Sequence, residues 1–115
     1  MSAAACSDER TIADGIYTEE QAEAGEALYE VHCLTCHNKR YFRPVLKRWE
    51  GQPLSMLYLI ISTSMPESDP ASLRQEEYID ILAYILSLSR YPAGDTELDY
   101  RDDALEQIKV APRRR

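Results

Sequence analysis

Cys33 and Cys36 stand three residues apart and His37 follows at once, in the run Cys33-Leu34-Thr35-Cys36-His37. Two thiols at i and i+3 share one helical turn. There each can add to a vinyl group on the same edge of a haem, and the adjacent histidine is placed to ligate the iron from one face. All three residues then serve one chemistry. Two rival chemistries use a cysteine pair at this spacing. A thioredoxin-like redox pair needs a βαβ setting, which the pattern of this chain does not supply. A zinc site needs a second pair of ligands, and the remaining cysteine and histidine are Cys6 and His32. The spacing therefore predicts covalent haem c, one per chain, held by Cys33 and Cys36 with His37 on the iron.

A haem held by one histidine has a second axial position to fill. Met1 is terminal, which leaves Met56 and Met65. Met56 lies within an apolar run, where a methionine fills gaps in a core. Met65 lies in the irregular run Ser62-Thr63-Ser64-Met65-Pro66, and the following proline fixes the backbone so that the thioether can face a flat ligand from the opposite side. The expected metal ligands are His37 and Met65. His32 projects about 100° away from Cys33 on a helix and reads as a surface or packing residue.

Helices must position these groups. Thr18 and Gln21 have capping-box spacing, Glu19 and Glu20 suit the positive end of a helix, and Ala22, Gly25, Leu28, Tyr29 and His32 form a stripe that runs into the cysteine pair. Residues 38–52 read as an irregular loop containing Pro44, Gly51 and five basic residues. From Pro53 to about Ser62 the chain is nearly all apolar, as in a short buried helix. Ser72 and Gln75 repeat the capping spacing, and Leu73, Tyr78, Ile79, Leu82, Ile85 and Leu86 make an apolar stripe that ends at Tyr91-Pro92-Ala93-Gly94. Residues 1–17 are polar and aperiodic, and 95–115 form a tail with a helical turn or two around Ala104–Ile108. Strand alternation is absent. The expected class is all-α, with three main helices and long loops.

Composition removes whole classes of function. The 115 residues suit one domain. Thirteen basic residues against twenty acidic ones give a net charge of −7, the wrong sign for neutralising phosphates, so no nucleic acid partner is expected. Met56 to Ile61, an apolar run of six residues, is as long as any and far short of the roughly 20 that span a bilayer, so no transmembrane segment is expected. Three cysteines do not make a disulfide framework. The first six residues have neither a positive nor an apolar signal region, so an exported chain would have had its signal removed. Ala3-Ala4-Ala5-Cys6 could be the remnant of a lipoprotein signal that tethers the chain at Cys6, but the reading preferred here is an unpaired thiol.

Across residues 15 to 94 the sequence resembles a class I c-type cytochrome. Gly25, Tyr29, Cys33, Cys36 and His37 match that family's first helix, Met65-Pro66 its axial-ligand loop, and Leu82-Ala83-Tyr84-Ile85 its last helix. The resemblance implies a cytochrome c fold wrapped around one covalently attached haem, with 1–14 as an N-terminal extension and 95–115 as a tail packing on or trailing from the domain. It implies close helix packing at Gly25 with Tyr84 against the crossing. It implies too that the Pro44 carbonyl accepts a hydrogen bond from the His37 ring and that Trp49 approaches a haem propionate. The run from Trp49 through Met65-Pro66 to Tyr91-Pro92-Ala93-Gly94 looks like small cytochromes that serve periplasmic dehydrogenases, quinoprotein types among them.

These readings predict a periplasmic one-electron carrier rather than an enzyme. A His/Met pair closes both axial positions to substrate and raises the potential relative to a bis-histidine site. The expected partners are redox proteins: a periplasmic dehydrogenase, an oxidase or another cytochrome. Two alternatives stay open. The chain could be a haem subunit or domain of a dehydrogenase or oxidase complex, or a haem sensor or peroxidase with an open sixth position. Residues 39–48 hold five bases and no acid, and by following His37 they are kept near the haem, where they could steer an acidic partner.

Overall fold

The computed structural model describes residues 10–33, 40–66, 69–101 and 103–113; the readings made for Cys6, Cys36, His37 and Lys39 lie outside the described residues. The described chain is all-α in the main. It comprises β1 (Arg10–Thr11), α1 (Glu19–His32), α2 (Phe42–Arg48), α3 (Leu54–Ser64), α4 (Gln75–Leu88), a 3-10 helix (Ala104–Gln107) and β2 (Ile108–Lys109).

α1 starts as its sequence dictates. The Thr18 hydroxyl accepts the Gln21 N–H at 3.2 Å, and the Gln21 amide oxygen accepts the Thr18 N–H at 3.1 Å. The same Gln21 side chain is buried and pairs in both directions with the Leu98 backbone, donating at 2.9 Å and accepting at 2.8 Å. One glutamine thus caps a helix and pins the chain beyond α4 to it.

The core is the crossing of α1 with α4. Gly25 meets α4 where a β-carbon would overlap the Asp80 carbonyl, so only glycine lets the two backbones come this close. Tyr29, fully buried one turn later, sets its ring edge-on to Tyr84 at 5.4 Å and to Phe42 at 6.4 Å. Every residue of α4 from Ile81 to Leu86 is buried. The close packing expected at Gly25 and Tyr84 is present.

Several local expectations need correction. The loop expected at 38–52 contains α2, because Phe42, Val45 and Leu46 recur at helical spacing and bury one face. Pro44 is tolerated there, since a first-turn residue needs no N–H partner. α4 begins at Gln75 rather than at the Ser72 cap, with the Glu77 carboxylate accepting the Arg74 N–H at 2.8 Å. α3 is not a fully buried helix: Leu54, Leu57 and Ile61 face the core, whereas Met56, Leu59 and Ile60 are exposed. Met56 is therefore not a core gap-filler.

The end of α4 is set by backbone geometry at Arg90, which takes φ 68°. Arg90 N–H bonds the Ser87 carbonyl and Tyr91 N–H the Leu86 carbonyl, each at 3.0 Å, the double bond of a Schellman motif.

Both ends of the described residues are tied in. β1 pairs in parallel with β2, Arg10 opposite Ile108 and Thr11 opposite Lys109. Two-residue strands are too short for alternation to register in a sequence. Ile12, Ile16 and Tyr17 are buried, so from residue 10 onward the polar, aperiodic reading of residues 1–17 gives way to core. Tyr17 donates its hydroxyl to the Tyr91 carbonyl at 2.5 Å, and Tyr91 donates to Ala111 at 2.6 Å. Gly51, at φ 91°, donates its N–H to Val110 at 2.8 Å. The expected turn near Ala104 is the 3-10 helix.

Candidate functional site

Cys33 caps the C-terminus of α1, its N–H bonded to the Tyr29 carbonyl at 2.8 Å. It is half-buried and packs against the core. The thiol is thus held by the helix that the Gly25 crossing locks to α4. Cys36 and His37, which follow within one turn of sequence, lie outside the described residues.

Met65 caps the C-terminus of α3, half-buried, with φ −120° and ψ 153°. Its position on the helix separates it from Met56. At about 100° per residue, Met65 falls on the stripe of Leu54, Leu57 and Ile61, whereas Met56, nine residues earlier, falls on the opposite side. Met56 is 43% exposed and shares its face with Leu59 and Ile60. The two methionines cannot serve the same interior site.

α4 reaches the chain beside Cys33 and at Met65. Tyr84 packs on Tyr29 just ahead of Cys33, and Tyr78 donates its hydroxyl to the Met65 carbonyl at 2.5 Å. Six residues, about 9 Å along the helix axis, separate the two anchors. The donor chemistry fits a haem: the half-buried Cys33 thiol, packed against the core at the end of α1, suits addition to a vinyl group, and the half-buried Met65 thioether at the end of α3 is a soft donor for iron. Among the residues described, Cys33 and Met65 would hold it.

The remaining expected site residues sit on α2. Pro44 is exposed in its first turn. Trp49 caps its C-terminus, half-buried against the core, its N–H shared between the Val45 and Leu46 carbonyls at 3.2 and 3.1 Å. His32, the last residue of α1, is half-buried.

Burial dominates the electrostatics around Cys33. It pushes the Tyr29 hydroxyl up to about 12, with smaller contributions from Cys33, Tyr84 and Tyr41. Arg40, Arg43, Lys47 and Arg48 are exposed. Arg43 and Lys47 line an open cleft of about 730 Å³ together with Glu50, Ser89, Tyr91 and Arg113, so the basic stretch and Arg113 meet on one face. Tyr78 is the residue that sequence reading missed. It was visible only as one member of an apolar stripe; its hydroxyl, the sole polar atom on that stripe, was the available signal.

Residues 20–85, more than half of the chain, match the protein family described as "Cytochrome C oxidase, cbb3-type, subunit III". No curated protein and no solved structure matches the chain. No helix among the described residues is long and apolar enough to cross a membrane.

Proposed function

The chain belongs to the cytochrome c oxidase, cbb3-type, subunit III family, and on that premise we propose that it is a periplasmic one-electron carrier whose haem c is ligated by His37 and Met65. Membership makes the chain an electron-transfer protein that holds haem c and works with redox partners. When bound, the haem supplies an iron centre that gains and loses one electron.

Each residue then has a role. Cys33 and Cys36 anchor the group by thioether bonds. His37 would ligate the iron, and the Pro44 carbonyl would accept its ring N–H and so fix the imidazole's orientation. Met65 would be the second protein ligand and would keep substrate from the iron. Trp49 would approach a propionate. The observation that supports this reading is that Cys33 ends α1 and Met65 ends α3, with α4 packed on α1 and hydrogen-bonded through Tyr78 to the Met65 carbonyl.

A second reading is favoured by the family's description: the chain acts within an oxidase complex, taking electrons from a donor and passing them on inside the assembly. Both readings need the same site and differ in partner.

Two measurements test the site. After denaturation in acidified organic solvent, haem is expected to stay with the protein; free haem in the extract would overturn covalent attachment. In the ferric protein, Met65→Ala is expected to abolish the sulfur-to-iron charge-transfer band and Met56→Ala to leave it. The reverse pattern would transfer the role to Met56. Native electrophoresis of the membrane and soluble fractions separates the two partner readings: migration with an oxidase supports the complex, migration alone supports the carrier.

A further inference from the structure

Met65 leaves α3 in an extended conformation with its N–H still bonded to Ile61 at 3.1 Å. Its carbonyl lies past the helix end and has no helical partner. Two donors take it: the Tyr78 hydroxyl at 2.5 Å and the Ala71 N–H at 3.3 Å. The same hydroxyl accepts the Leu73 N–H at 3.3 Å. One phenol oxygen therefore joins both ends of segment 65–73 and fastens them to α4. Its side chain is 2% exposed, on the helix that also locks α1.

Resting on the reading that Met65 is the sixth ligand, we propose that Tyr78 is the positioning residue that keeps Met65 on the iron: its hydroxyl ties the Met65 carbonyl to the Leu73 N–H and to α4, and so sets how often an outside ligand can displace the thioether. An outside ligand binds only when the Met65 thioether is off the iron, so its apparent affinity scales with that fraction. Tyr78→Phe keeps the ring in the core but removes both hydrogen bonds, leaving the Met65 carbonyl with the Ala71 N–H alone and taking away the acceptor of the Leu73 N–H. Losses of this kind shift such an equilibrium by about tenfold. Tyr58 provides a control. It is another tyrosine on the α3–α4 side, and its hydroxyl approaches the Gln75 carbonyl at 3.5 Å instead.

The test is an imidazole titration of the ferric, haem-loaded protein, following loss of the sulfur-to-iron charge-transfer band, with urea unfolding of the same samples. Tyr78→Phe is expected to bind imidazole about tenfold more tightly than the parent, and Tyr58→Phe within twofold of it. Parent-like imidazole affinity in Tyr78→Phe overturns the proposal. So does an equal gain in both variants in step with their loss of stability, because that would be a general loosening. A parent protein without the band overturns the Met65 reading itself, a failure distinguishable from the others before any variant is made.

Discussion

Gly25 of α1 and Asp80 of α4 touch backbone to backbone: a β-carbon at position 25 would fall on the Asp80 carbonyl. A glycine in mid-helix costs about 1 kcal/mol relative to alanine, and here the close crossing offsets that cost. Gly25→Ala is expected to destabilise the protein by about 3 kcal/mol, since the added atom meets backbone that cannot step aside. Urea unfolding of the haem-loaded protein measures it. A midpoint equal to the parent's would mean that the helices can separate freely.

Tyr29 should make the fold sensitive to alkali. Burial raises its hydroxyl from 10.0 to about 12 in the folded chain, so above about pH 10 the unfolded chain releases a proton that the folded one keeps. Stability is fully present below pH 10 and falls as pH rises toward 12, by at most about 1.4 kcal/mol per pH unit from this group. Tyr29→Phe retains the ring and removes the proton. Its stability should decline less steeply over that window; an unchanged slope would assign the alkaline loss to other groups.

Arg90 holds a left-handed conformation that a side chain resists by about 1–2 kcal/mol, whereas glycine loses about 0.5–1 kcal/mol in the unfolded chain. The balance favours glycine. Arg90→Gly should raise stability by about 0.5–1 kcal/mol in urea, with the haem spectrum unchanged. A loss of stability would show that the Arg90 side chain contributes more than its strained backbone costs.

Arg43, Lys47 and Arg113 face one cleft in an otherwise acidic protein. Electron transfer with an acidic redox partner is expected to slow as ionic strength rises, because charge steering is screened over about 8 Å at physiological salt. Replacing all three by alanine should flatten that dependence. Equal salt slopes in parent and variant would return the cleft to a merely solvated surface.

The all-α class and the Thr18–Gln21 cap were legible because each rests on residues a few positions apart, and the Gly25 crossing followed from the resemblance to c-type cytochromes; the run from Cys33 to His37 is equally local, with Cys36 and His37 outside the described residues. Local spacing alone could not find α2, since three apolar residues around a proline become a helix only when Phe42 has Tyr29 to pack on. Nor could it separate the faces of α3. The run from Met56 to Ile61 is uniformly apolar, and only the position of α4 and the C-terminal segment decided that Leu57 and Ile61 turn inward while Met56 turns out. The Tyr78 hydroxyl meets the Met65 carbonyl across thirteen residues, and the Gln21 amide meets Leu98 across seventy-seven. Spacing within one chain segment carries covalent attachment and helix periodicity. Contacts between segments distant in sequence arise only once the chain has closed on itself, and they determine how firmly the Met65 segment is held.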